Sequence, residues 1–303
     1  MERPDLKAEE MYVRAVLSGG GTLDERSKKA IVRIITGNVS FLQEMLKLSK
    51  ENMEAIETGY EKAGYMVGSI NVVLKSEGLV GIGSGAFKSI FEVGLNIDPI
   101  LGLPYYPGSG IKGAVRSFIE SFLPSGKGIE YLEEIFGSSR ANKGEEVSSS
   151  DGSSGAEGMI VFSDMYPIGC KSGGCSIYTP LVITPHYFKG GKVVDTELDV
   201  QPVPVVHIGI SKDLVFKLII AIRKDLKERL MKNLKGIFEM IKKSDGTTPL
   251  FKGIREDPLI AIGLITIYTL NMGIGARSAK GYNLFEPYSG PLAFKVSKYV
   301  LRR

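Results

Sequence analysis

Tryptophan is absent from this 303-residue chain, and histidine (His186, His207) and cysteine (Cys170, Cys175) occur only twice each. So few imidazoles and thiols leave little material for general bases or a metal centre. The two cysteines flank Lys171-Ser172-Gly173-Gly174, and a zinc site there would need two further ligands, which His186 alone does not supply. A secreted disulfide scaffold would carry more cysteine, and the opening MERPDLKAEE lacks a signal-peptide pattern. A pair of reduced thiols in a cytoplasmic protein is therefore expected, with no metal and no cofactor. The longest uncharged apolar run, Pro258 to Leu270, is too short to span a bilayer and reads as a buried helix, so no membrane partner is expected. Charge of one sign is also scarce. Thirty-eight basic against 34 acidic residues give a net +4, compatible with a nucleic-acid partner and equally with an ordinary solvated surface.

What is present reads as an α+β protein. Residues 1–65 carry helical patterning: Ile31, Ile34 and Ile35, then Phe41, Leu42, Met45, Leu46 and Leu48, recur near the 3.6-residue period. From Tyr65 to Leu74 the β-branched content indicates a strand. Glycines at 78, 81, 83, 85 and 94 then suit a projecting hairpin. Residues 137–158 are too rich in serine and glycine to bury apolar surface, and are expected to form a flexible insertion rather than a domain boundary. Strands are expected at 159–164, 176–188, 203–210, 282–286 and 291–296, with a further apolar strand over 214–222. Helices are expected over 114–123, 225–243 and 257–272. Interleaving of this kind points to one domain over 1–303, a sheet with helices on one face.

Two glycine-and-basic loops hold the chemistry. Pro107-Gly108-Ser109-Gly110-Ile111-Lys112-Gly113 runs into a helix, with Ser109 the natural N-cap and Arg116 one turn beyond Lys112. A helix N-terminus presents unpaired N–H groups and a positive dipole end, which suits phosphate. Glycine follows Lys112 where a Walker loop needs serine or threonine, which removes the main support for nucleotide hydrolysis. The second loop, Gly273 to Tyr282, repeats the recipe after a helix. Gly275, Ala276, Ser278 and Gly281 permit close backbone approach, Arg277 and Lys280 carry charge, and Tyr282 offers a stacking face. Taken singly, either loop reads more simply as a turn or a helix cap. Two together, both with lysine and arginine, point to a polyanion.

The run Gly102-Leu103-Pro104-Tyr105-Tyr106-Pro107-Gly108-Ser109-Gly110-Ile111-Lys112-Gly113-Ala114-Val115-Arg116 resembles the signature of the RAMP superfamily of CRISPR-associated proteins. Ile135-Phe136-Gly137, Val161-Phe162-Ser163-Asp164 and the loop from Gly273 to Gly281 are similar to further blocks of that superfamily, in the same order. Within it, Ile183-Thr184-Pro185-His186-Tyr187 and Gln201-Pro202-Val203-Pro204 resemble the sixth-subunit group of the Cmr (type III-B) effector complexes. The resemblance implies an RNA-recognition-motif-like (ferredoxin-like) core with an antiparallel sheet, a helical N-terminal extension and a projecting hairpin. It implies guide RNA (crRNA) as partner near its 3′ end, target RNA within reach, and the other Cmr backbone and small subunits as neighbours. Guide phosphates are then expected on Gly108, Ser109, Gly110, Ile111, Lys112, Gly113 and Arg116, and on Gly275, Ala276, Arg277, Ser278, Lys280, Gly281 and Tyr282. Gly110 stands where the pattern often has a second serine, which removes one hydroxyl contact. The aromatic motifs by which ordinary RNA recognition motifs stack bases are absent.

Three roles follow. A non-catalytic guide holder is the leading expectation. Related subunits cut RNA with an aspartate upstream of the same loop, a place Asp98 occupies here, although an Asp before Pro99 also forms turns. Some superfamily members process guides with histidine, for which His186 and His207 are the candidates. A packed structural histidine is the simpler reading of either. An interaction module without RNA contact is the third.

Overall fold

The computed structural model describes residue 32 and residues 39–83, 94–137, 157–172, 175–183, 188–189, 192–193, 205–245, 257–288, 294–296 and 299–300. The first long element, α1 (Val39–Lys62), buries Leu46, Ser49, Met53 and Glu57, a stripe that follows the helical repeat. Gly64, at φ 87°, breaks the helix and turns the chain directly into β1 (Tyr65–Leu74). Next come α2 (Gly108–Glu120), α3 (Ile129–Phe136), and the strands β2 (Ile160–Phe162), β3 (Tyr166–Cys170) and β4 (Tyr178–Ile183). The short β5 (Phe188–Lys189) and β6 (Lys192–Val193) pair with each other, and β7 (Val205–Ile210) pairs with β4. β8 (Leu214–Arg223), α4 (Lys227–Asp245), α5 (Pro258–Met272), β9 (Phe285–Pro287), β10 (Phe294–Val296) and β11 (Tyr299–Val300) complete the order.

The main sheet is antiparallel and runs β11-β10-β1-β8-β2, with β9 also on β1 and β3 also on β8. Its centre is the long β1–β8 pair, in register from Tyr65 opposite Arg223 to Val73 opposite Val215. The α+β class and antiparallel sheet are those expected. Even-numbered residues of the central pair (Ile70, Val72 and Leu74; Phe216, Leu218, Ile220 and Ile222) pack under α2, α4 and α5. The α5 helix starts where Asp257 accepts from the Leu259 N–H at 2.8 Å, with Pro258 in its first turn.

Helices do not keep to one face, as the interleaving had implied. Odd-numbered Val67, Ile219 and Ala221 form a second cluster with Met53 of α1, flanked by Tyr60, Tyr65 and Ile168. The reason is composition: β8 is buried from Leu214 to Ile222 without alternation, and a strand apolar on both sides needs cover on both. Under α1 lies one polar knot. Lys217 of β8 pairs with Glu57, which also accepts from the Ser69 hydroxyl at 3.1 Å. The sheet face that an RNA recognition motif would offer to bases is thus covered by the chain's own helix.

The hairpin expected after β1 has its base in place. Asn96 N–H donates to the Val80 carbonyl at 2.9 Å and Gly94 N–H to Ile82 at 3.2 Å; its tip, 84–93, lies outside the described residues. The serine-rich stretch 138–156 also lies outside them. Cys170 and Cys175 are joined in a disulfide, contrary to the expectation of reduced thiols: their Cα atoms lie 5.9 Å apart, within disulfide reach.

Candidate nucleic-acid interface

The first loop is fixed before its helix begins. Tyr106 exchanges backbone hydrogen bonds with Met165 at 3.1 and 2.9 Å, which holds the chain against the end of β2. The helix then starts at Gly108, with Pro107 as N-cap and no side-chain cap. Ser109 is therefore not the N-cap. It lies inside the first turn, because the extended Pro107 already breaks the helix and the chain turns one residue sooner. Asp164 serves that end from outside, its carboxylate accepting from the Gly108 N–H at 2.7 Å. The N–H groups of Ser109 and Gly110 have no intrahelical acceptor by position, and both residues are exposed.

The three glycines divide by purpose. A Cβ at Gly108 would lie 2.4 Å from the Phe162 carbonyl oxygen and 2.5 Å from that of Ser163, so the fold itself demands glycine there. A Cβ at Gly110 or Gly113 would meet nothing within 4 Å, so these two face open space. Ile111, expected at the interface, puts its side chain in the core with Val115 and Ile119, leaving only its backbone near the surface. Lys112 is half-buried; that burial draws its ammonium below the ordinary lysine value, with Glu157 pulling it back up. Arg116 is engaged elsewhere, its Nη1 donating to the Gly137 carbonyl at 2.9 Å and tying α2 to the end of α3. This bond gives Arg116 a structural role within the fold.

The second loop leaves α5 at Gly273 and keeps turning through positive φ: 84° at Gly275, 58° at Arg277 and 88° at Gly281. A short 3-10 turn spans Ser278–Lys280. Arg277, the one non-glycine of these, is held in a left-handed conformation that costs an ordinary residue about 1 kcal/mol. Gly275, Arg277, Lys280 and Gly281 are exposed, with Ala276, Ser278 and Tyr282 half-buried. Among the described residues no carboxylate pairs with Lys112, Arg277 or Lys280.

Asn283, which follows Tyr282, was not singled out in the sequence, yet it organises both loops. It is fully buried at φ 58°. Its amide reaches Leu79, the Tyr106 hydroxyl and the Ala276 carbonyl. A lone asparagine in Gly-Tyr-Asn-Leu reads as a strand edge; its one signal was the tolerance of asparagine for left-handed backbone next to a glycine turn.

The other candidates take structural positions. Asp98 Oδ1 accepts from the Ile100 and Leu101 N–H groups at 2.9 and 2.8 Å, and Oδ2 from the Tyr166 hydroxyl at 2.9 Å. Burial alone would raise its carboxyl, but the hydrogen bonds from Leu101, Tyr166 and Ile100 outweigh that and hold it below its ordinary value. Tyr166 in turn stacks on Tyr105 at 5.4 Å. His207 is fully buried opposite Leu181 on β7. His186, with the rest of 184–187 and 201–204, lies outside the described residues. Among the described residues no group of three or more His, Cys, Asp or Glu could hold a metal ion, and no helix is long and apolar enough to cross a membrane.

The two loops thus offer a helix start whose first turn faces open space at Gly110 and Gly113, and a glycine turn with exposed cations at Arg277 and Lys280. The sequence pattern of the RAMP superfamily matches residues 21–286. The chain belongs to the RAMP superfamily. Among RAMP relatives, it is 29% identical over 259 residues to the CRISPR system CMR subunit Cmr6 of Saccharolobus solfataricus, covering 86% of this chain and 70% of that protein. Among solved RAMP structures, it superposes on a chain of the type III-B Cmr-beta complex bound to cognate target RNA. The TM-score is 0.55 at 26% identity, over 86% of this chain and 70% of that one. The resemblance read from the PGSGIKG and GIGARSAKG loops thus extends over residues 21–286.

Proposed function

We propose that this protein holds the guide RNA at one end of the backbone of a type III-B CRISPR effector complex, and that it holds without cutting. It acts as a single RAMP unit in the cytoplasm, beside other Cmr backbone and small subunits and within reach of target RNA. The observation that carries the reading is uncompensated charge in an open place. Arg277 and Lys280 pair with no carboxylate among the described residues, and next to Lys112, on which only Glu157 acts from beyond ion-pair distance, the N–H groups of Ser109 and Gly110 face solvent at the positive end of α2. Contacts of this kind read the phosphate backbone and not the bases, which suits a carrier of changing guide sequences. The similarity to Cmr6, and to a complex captured with target RNA, supports the same role.

Catalysis by Asp98 is disfavoured by its surroundings. Its carboxylate accepts three hydrogen bonds within the protein, two on Oδ1 and one on Oδ2, as a group that holds the 98–101 turn does. Crosslinking within the assembled complex tests the placement. The guide's 3′ end is expected to crosslink to residues 107–116, and crosslinks elsewhere only would refute it. Cutting of target RNA by a complex carrying Asp98→Ala is expected to proceed at the full rate; loss of cutting with intact assembly would make this subunit the nuclease.

A further inference from the structure

The two loops lie far apart in the chain, and neither sequence fixes where the other sits. One buried amide bonds to both segments. Asn283 uses every hydrogen-bonding position its side chain has. Oδ1 accepts from the Leu79 N–H at 2.6 Å and from the Tyr106 hydroxyl at 2.8 Å, while Nδ2 donates to the carbonyls of Leu79 at 2.9 Å and Ala276 at 2.7 Å. Ala276 adjoins Arg277 in the second loop, and Tyr106 stands two residues before Gly108, where α2 begins.

Each end of this bridge is itself immobilised. The Tyr106 ring lies edge-to-face on Phe216 at 5.5 Å and on Phe285 at 5.2 Å. Its burial raises the hydroxyl far above the ordinary tyrosine value, so it remains a proton donor at any working pH. Gly78 leaves room for that hydroxyl, since a Cβ there would lie 2.5 Å from it. At the other end the Ala276 N–H donates to the Leu79 carbonyl at 3.2 Å, beside the bond from Asn283. The nearest replacements do not keep this network. Aspartate would lose both donors and bury a charge, glutamine is a methylene too long, and glycine would keep the backbone at φ 58° but lose all four bonds.

We infer that Asn283 is a positioning residue that makes the two loops one phosphodiester-binding site, fixing Arg277 relative to the start of α2 so that successive phosphates of one strand engage both. This rests on the RNA-holding reading above. A two-point grip gains from the effective concentration of its second point, and that gain survives only while the spacing is rigid. In the Tyr106–Asn283 bond a single hydroxyl links the two segments.

The test compares Lys112→Ala, Arg277→Ala and their combination in two backgrounds, the full-length chain and full-length chain carrying Tyr106→Phe. Affinity is read with a mixed-sequence single-stranded RNA oligonucleotide. Asn283→Ala could unfold the loop outright; Tyr106→Phe removes one hydroxyl and keeps the ring packing and three of the four amide bonds. In the unmodified background the product of the two single losses should exceed the loss of the double variant by about tenfold, as contacts sharing one rigid site do. With Tyr106→Phe the excess should shrink to about twofold or less. A purely structural role would lower the melting temperature and leave the coupling unchanged. Equal coupling in both backgrounds, or none in the first, overturns the positioning role while the single losses still stand for RNA binding. If neither single substitution weakens binding, the RNA-holding reading fails and this inference fails with it.

Discussion

The helix start at Gly108 and the turn at Arg277 carry similar residues and are built in opposite ways. At Gly108 the backbone is relaxed and regular, the glycine is demanded by a neighbouring strand, and the basic side chains are drawn inward: Lys112 is half-buried and Arg116 is bound to Gly137. At Arg277 the backbone is strained, three positions of the loop near it require positive φ, and the cations stand in solvent. The first loop contributes directed N–H groups and a dipole, and the second contributes exposed charge. Similar composition therefore conceals a division of labour, which substitutions can separate.

The largest effect is expected where fold and site coincide. Gly108→Ala forces a Cβ into the Phe162 and Ser163 carbonyls and should lower stability by about 3 kcal/mol in chemical denaturation. Gly110→Ala, whose Cβ meets nothing, should change stability by less than about 0.5 kcal/mol yet weaken RNA binding several-fold by crowding a phosphate. Equal stability losses at the two positions would erase the distinction drawn between them.

A smaller effect with opposite signs should separate the two arginines. Arg277→Gly relieves the left-handed conformation and should raise stability by about 1 kcal/mol while reducing RNA affinity. Arg116→Ala should lower stability by about 1 kcal/mol, through the lost bond to Gly137, and leave affinity nearly unchanged. An affinity loss at Arg116 as large as at Arg277 would return it to the interface.

The smallest effect is a pH dependence. Because burial lowers the Lys112 value in the folded protein, the unfolded chain binds more protons between the lowered and the ordinary lysine value, and stability rises with pH across that window. RNA affinity should move the other way, falling as Lys112 loses its charge below the ordinary lysine range. Lys112→Arg should remove both slopes, as fluorescence titration and denaturation at stepped pH would show.

Much of this arrangement was legible in the sequence because it depends on local rules. The 3.6-residue stripe marked α1, the uncharged apolar run marked α5, the β-branched run marked β1 and the apolar run over 214–222 marked β8. The glycines with their flanking cations marked both loops. What was not legible depends on contacts between distant segments. Ser109 read as an N-cap because serine prefers that place, but Pro107 ends the preceding chain first. Ile111 read as part of the loop, although its spacing with Val115 and Ile119 already placed it on the buried stripe. Nothing near Arg116 in sequence predicts its bond to the Gly137 carbonyl. Asn283 and the covering of the sheet by α1 share that cause, for their partners lie as far away as Leu79, Tyr106 and Lys217.

The central claim is that Lys112 and Arg277 grip the phosphates of one RNA strand, and its most direct test is the salt dependence of RNA affinity. For the Lys112→Ala/Arg277→Ala variant, shown to be folded by circular dichroism, the slope of log affinity against log salt should be shallower than that of the unmodified chain by about 1.4, the release expected for two single-strand phosphate contacts. An unchanged affinity with an unchanged slope would contradict the account and leave a protein whose two loops are only turns.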